Sequence, residues 1–256
     1  MTTFLKHYHD PQTARAALAH YHWLTNLAAE VELPALCGHS DRTLEFVHIA
    51  GRVADLGDLP AVAGTLGRLH RAARQAGLAQ AQANSRYCTC DGAILAPFAA
   101  PRRRRLHELR ARTSDSPLSH NAIDSWLDAA ALLPVALYKD ANPRNFLITD
   151  RGPVLVDFDS LTLAPVGYDL AKLLVTLAMT TGVLPATSVD EAVAAYTGEL
   201  NQPCPRTELA VWAEMHHLLT RPYLGRNGYQ HPWPAVRPWP APDAAAVATP
   251  GSRECL

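Results

Sequence analysis

The 256 residues carry 23 basic and 24 acidic side chains, a formal net charge of -1, and 48% apolar residues. That is enough chain for one large domain or two lobes with a substantial core, and so even a balance sets up no global field for nucleic acid or a membrane surface. No stretch reaches about 18 apolar residues and no apolar run follows a basic start, so neither a membrane span nor a secretory leader is expected, and a reduced cytoplasm is the expected location.

Residues 3–8 read as a short strand, and Asp10-Pro11 as a helix start with Asp capping and Pro in the first turn. The helix predicted over 11–29 carries Ala17, Leu18, Tyr21, Leu24 and Leu27 at helical spacing. Strands are predicted at 33–37 and 43–49, a hinge from Gly51 to Gly57, a helix over 59–76 and a polar loop over 80–92. Five cysteines, at 37, 88, 90, 204 and 255, form no disulfide framework. Cys88 and Cys90 read either as ordinary thiols or as half of a metal site lacking a second pair at ligand spacing.

Helices follow at 101–112 and 118–133, then strands at 135–138, 146–149 and 153–157, with Asp150 to Pro153 turning between the last two. Three more helices are predicted at 168–181, 188–200 and 206–221. After Gly225 the sequence turns rich in Pro, Trp and Ala, and a tail over 226–256 is expected to be partly disordered, its last fifteen or so residues above all. The domains so read are a small lobe and hinge at 1–57, a helical lobe at 58–225, and the tail. The fold class is α+β.

Chemistry concentrates in Tyr138-Lys139-Asp140-Ala141-Asn142-Pro143-Arg144-Asn145 and, one strand pair later, Val156-Asp157-Phe158-Asp159. Asp140 emerges at a strand end, where a carboxylate can orient a hydroxyl and accept its proton. Asn145 and Asp157 offer hard oxygens suited to Mg²⁺ against nucleotide phosphates. Asp157 ends an apolar run, and an ionised group there needs a partner. Asp159 reads either as a second metal ligand or as a cap for the next loop. Lys139 and Arg144 flank the acid, either to meet a transferred phosphate or as exposed loop cations. Asp169, opening a helix in Gly167-Tyr168-Asp169-Leu170-Ala171, is expected to accept backbone N–H bonds that hold the catalytic loop.

Asp-x-x-x-x-Asn, then Val-Asp-Phe-Asp, then Gly-Tyr-Asp-Leu-Ala-Lys-Leu resembles the aminoglycoside phosphotransferase/choline kinase-like family. The resemblance implies a protein-kinase-like two-lobe fold, ATP and Mg²⁺ as cofactors, Asp140 as catalytic base, Asn145 and Asp157 as metal ligands, and Asp169 as the helix-start Asp. It also implies that Lys6 grips the nucleotide phosphates and that residues near 50–57 hold adenine. Three departures stand out. Tyr138-Lys139-Asp140 replaces the family's His-Gly-Asp, although Tyr can brace a loop too. No acidic residue lies between Asp10 and Glu30 to pair with Lys6, and no Gly precedes Gly38, so a Gly-rich loop and the two strands before Lys6, roughly 25–30 residues, are missing.

A degenerate kinase, a shortened but active small lobe, and a partner protein completing the phosphate cover are the three readings of that gap. For the acceptor, a hydroxyl of a small metabolite or antibiotic-like molecule leads. A Ser/Thr peptide of natural-product maturation and a pseudokinase or scaffold are the alternatives. Arg102–Arg105 with Arg110 and Arg112 reads either as a receiver for an acidic peptide or phosphorylated ligand, or as a solvated face.

Overall fold

The amino end does make a strand: in the computed structural model, which describes residues 2–27 and 31–242, β1 is Thr3–His7. Asp10 is extended and its carboxylate accepts the Thr13 amide at 2.8 Å, and with Pro11 in the first turn this starts α1, Pro11–Asn26. The last two residues of the predicted helix, 28 and 29, lie outside the described residues. β2 is Leu36–Ser40, later than the predicted 33–37. The hydroxyl of Tyr21 donates to the Pro34 carbonyl at 3.1 Å and accepts the Leu36 amide at 3.0 Å, so a side chain satisfies the backbone there in place of a neighbouring strand.

β3, Thr43–Val47, is central in an antiparallel sheet of order β1-β3-β2. Tyr21, Phe46 and Phe158, with ring centroids 5.5–5.9 Å apart, tie this small lobe to the rest. β4, Arg52–Val53, pairs with a later strand, so the segment expected as a free hinge is already part of a second sheet. α2, Leu59–Gln75, follows a short helical turn capped by Asp55.

The predicted loop 80–92 contains part of a hairpin, β5 (Tyr87–Cys88) with β6 (Ile94–Leu95). α3 is Ala99–Arg110 and α4 is His120–Ala129, with a 3-10 turn at 130–132 completing the predicted span. Next come β7 (Val135–Tyr138), β8 (Phe146–Thr149), β9 (Gly152–Leu155) and β10 (Thr162–Pro165). β8 joins β4 and β9, while β10, which the sequence reading missed, pairs with β7.

The remaining helices are α5 (Tyr168–Thr181), α6 (Ala186–Leu200), α7 (Arg206–Thr220) and the short α8 (Trp233–Val236). α2 packs on α6 closely enough that a Cβ built on Gly67 stands 2.5 Å from the Tyr196 carbonyl. Fully buried Phe98, Tyr168 and Trp212, ring to ring at 4.7–5.8 Å, centre the helical lobe.

Within the predicted tail, residues 226–242 pack on the helical lobe: Tyr229, Trp233 and Val236 are buried. Buried Glu214 accepts from Trp233 Nε1 at 2.8 Å and from Arg237 Nε at 2.7 Å, fastening that segment to α7. The expected disorder of the last residues falls on 243–256, outside the described residues. The arginine run is neither a ligand stripe nor simply a solvated face. Arg102 is buried against Phe98, Tyr138 and Tyr168, Arg103 pairs with Asp124 and Asp128, and Arg110 holds the Thr113 carbonyl at 2.7 Å. Arg104 and Arg105, beside Glu108, and Arg112 face solvent.

Candidate active site

Asp140 follows β7 with φ +69°, a left-handed conformation that a short polar side chain tolerates and a β-branched one does not. Three sets of bonds hold it there. Asp169, buried at the first turn of α5, accepts the Lys139 amide at 3.0 Å and the Ala141 amide at 2.6 Å, one on each side of Asp140. Asn145 donates Nδ2 to the Asp140 carbonyl at 2.9 Å. The Asp140 carboxylate receives the Tyr138 hydroxyl at 2.8 Å and the Lys172 ammonium at 3.3 Å, both on Oδ1. The side chain stays 49% exposed, so one oxygen is fixed and the carboxylate still opens to solvent.

Burial pushes the Asp169 carboxyl up to about 6, against the pull of the two amides and of Lys139. Lys139 is displaced from its expected role. Its side chain is 3% exposed, and the ammonium donates to the carbonyls of Val156 at 2.7 Å and Asn145 at 3.3 Å, over the Phe146 ring. It stitches the Asp140 loop to the Asp157 loop from behind and cannot meet a phosphate in the cleft. Burial lowers it to about 8. Arg144 is exposed on the cleft side, its guanidinium 5.5 Å from the Tyr229 ring centroid.

Asp157 lies two residues beyond β9, with φ +60°, and is 55% exposed at its side chain. The expectation of a strand-end carboxylate starved of solvent is therefore corrected: it stands in the open cleft. Its partner is Lys6, whose Nζ is 2.7 Å from Asp157 Oδ1 and 2.7 Å from Asp159 Oδ2. The lysine that lacks an acidic partner on α1 finds two after β9. Tyr8, just past the end of β1 and two residues after Lys6, donates its hydroxyl to Asp159 Oδ1 at 3.0 Å. His20 of α1 sits 2.7 Å from the Asp159 carbonyl, so α1 steadies this loop through its backbone.

A cleft of about 510 Å³ lies between the lobes, lined on one wall by Phe46, Val47, His48 and Ile49 and on the other by Leu147, Val156 and Phe158. Lys6, Arg144, Asn145, Asp157 and Asp159 line it too. An apolar slot ending in a cation and two carboxylates suits a flat base at one end and phosphates at the other. The segment that lines this slot is 46–49, and residues 50–57, expected to hold adenine, do not line it. Gly51 passes so close to β8 that an added Cβ would stand 2.9 Å from the Ile148 carbonyl, and Arg52 and Val53 are committed to strand pairing.

The oxygens of Asn145, Asp157 and Asp159 fit Mg²⁺, which takes one or two carboxylates and completes its shell with phosphate and water. The bond from Asn145 Nδ2 turns the amide so that its oxygen is the end left for a ligand. Tyr8, His20, Lys172 and Tyr229 were not legible as site residues. Tyr8 alone had a signal, its two-residue spacing from Lys6. Tyr229 reaches from the far end of the chain to accept Asn142 Nδ2 at 2.5 Å.

The family profile described as the phosphotransferase enzyme family matches residues 1–206. No curated protein matches the chain. Among solved structures, a macrolide 2'-phosphotransferase, MphH, from Brachybacterium faecium is similar at 16% identity and TM-score 0.58, covering 93% of this chain and 85% of its own. A choline/ethanolamine kinase family protein from Mesorhizobium loti has 17% identity and TM-score 0.52, covering 97% and 79%. An aminoglycoside phosphotransferase, APH(3'')-Id, from Streptomyces rimosus, in complex with ADP and streptomycin, has 15% identity and TM-score 0.52, covering 85% and 86%.

Proposed function

Because the chain belongs to the phosphotransferase enzyme family and is a kinase-type phosphotransferase, we propose that it moves the γ-phosphoryl group of ATP to a hydroxyl of a small metabolite or antibiotic-like molecule. The observation that carries this reading is the Asp140 carboxylate, fixed at Oδ1 by Tyr138 and Lys172 and open to solvent. In this reading the free oxygen orients the acceptor hydroxyl and takes its proton as the O–P bond forms, while the γ-phosphoryl bond to ADP breaks. Asn145, Asp157 and Asp159 hold Mg²⁺, whose positive charge offsets charge on the phosphate oxygens. Lys6 binds the phosphates, Arg144 stands on the same side of the cleft, and Phe46 and Phe158 enclose the base.

Tyr138 takes over the bracing that a His supplies in the family's motif, through its bond to Asp140. The peptide reading is weakened, because Arg102, Arg103 and Arg110 bond within the chain and leave Arg104, Arg105 and Arg112 to meet an acidic peptide. Among the described residues no helix is long and apolar enough to cross a membrane.

The test is a panel of hydroxyl acceptors (a macrolide, streptomycin, choline and a Ser/Thr peptide) with Mg·ATP, reading ADP release and product mass. Phosphorylation of a small molecule by the wild type and not by Asp140→Asn supports the reading. Phosphorylation of the peptide alone replaces the acceptor class.

A further inference from the structure

Lys6 is the point where the cleft's anions converge. Its Nζ lies 2.7 Å from both Asp157 Oδ1 and Asp159 Oδ2, and the other Asp159 oxygen accepts Tyr8 at 3.0 Å. Set between two carboxylates at hydrogen-bond distance, the lysine is an ammonium cation that bridges the two acids. The ammonium therefore holds one oxygen of each carboxylate that a divalent ion would draw on. Mg²⁺ requires oxygens at about 2.0–2.1 Å in near-octahedral order, and it cannot take them while a second cation sits on them.

The two cations become compatible only if the ammonium has another anion to move to. Nucleotide phosphates are such an anion, and Lys6 lines the cleft beside Asn145, where they would lie.

We propose that Lys6 makes the site selective for the preformed metal–nucleotide complex: it excludes free divalent metal from Asp157 and Asp159, and yields those oxygens when phosphates receive its ammonium. This rests on the reading of Asp157 and Asp159 as metal ligands and adds to it a linkage between two ligands. Metal and nucleotide bind with positive coupling, and by reciprocity each raises the affinity for the other by the same factor. Tyr8 is part of the device, because its hydroxyl holds Asp159 on the Lys6 side of the cleft.

The test needs no acceptor. Binding of Mn²⁺ alone is followed by the loss of the free-ion EPR signal at low salt, in the wild type, Lys6→Met and Lys6→Met/Asp157→Asn, then repeated with saturating ADP. Circular dichroism checks the fold, and Lys6→Gln serves if Lys6→Met fails to fold. Lys6→Met should bind Mn²⁺ alone about tenfold or more tightly than the wild type, within the usual range of coupling factors. ADP should raise Mn²⁺ affinity more in the wild type than in Lys6→Met. Adding Asp157→Asn should remove the gain.

A folded lysine variant that binds Mn²⁺ no more tightly than the wild type overturns the proposal. If Mn²⁺–ADP binding is still lost in Asp157→Asn, the metal-ligand reading survives that failure. A gain that persists in the double variant places the metal elsewhere and overturns the reading of Asp157 itself.

Discussion

Replacing Asp169 by Ala separates the scaffold of the catalytic loop from its chemistry. The carboxylate accepts two buried amides, at 2.6 Å from Ala141 and 3.0 Å from Lys139. At about 1.5–3 kcal/mol for each bond to a charged group, the gross loss is about 3–6 kcal/mol. Burial of the carboxyl, which pushes it up to about 6 in spite of those bonds, offsets part of that loss. The destabilisation is then a few kcal/mol, below the roughly 5–15 kcal/mol that holds most single domains folded. Turnover should suffer far more, by about a hundredfold, because the lost bonds flank the residue that holds the acceptor.

Urea unfolding measures the first quantity, and ADP release with the best acceptor measures the second. The pH dependence has a defined sign. The folded-state value of Asp169 is raised, so its contribution is fully present below 3.8 and is lost as pH rises through about 6. The stability gap between wild type and Asp169→Ala should therefore be wider at pH 4.5 than at pH 7. An Asp169→Ala protein with wild-type turnover refutes the claim that these two bonds position Asp140.

Lys139 gives the opposite alkaline signature. Its value is lowered to about 8, so its contribution is present above 10.5 and lost as pH falls through about 8. Relative to Lys139→Met, wild-type stability should rise between pH 7.5 and 9.5 in chemical melts. Gly67→Ala sets a helix-propensity gain of about 1 kcal/mol against overpacking of a backbone carbonyl 2.5 Å away. Overpacking wins by about 2 kcal/mol, and the melting temperature should fall by about 4–8 °C in a thermal scan. Parity with the wild type would mean that α2 and α6 separate without cost.

The catalytic loop was legible because its parts are local. Asp140, Asn145 and Asp157 are separated by one loop and one hairpin, and the short apolar runs in 146–149 and 153–157 about the turn at Asp150 to Pro153 give those strands directly. What the sequence hid depends on distant partners. β4 has only two residues, β10 ends on a proline (Pro165), and both exist through pairing, with β8 and β7 respectively. Lys139 beside an Asp looks like a phosphate ligand, and only the approach of Val156 turns it inward. Arg102 did carry a signal. It shares a helix face with Leu106 and Leu109, both buried, and an arginine at that register belongs to the core side of α3. The partners of Lys6 were sought on α1 because the family resemblance puts one there, whereas two carboxylates after β9 fill that role.

The central claim is that Asp140 acts on the acceptor and not on the nucleotide. Wild type and Asp140→Asn are compared with Mg·ATP and one accepted hydroxyl compound, reading nucleotide affinity from the thermal shift and product by mass. The account predicts equal ATP-dependent stabilisation in the two proteins and at least a hundredfold less phosphorylated product from the variant. Product formed by Asp140→Asn at the wild-type rate contradicts it.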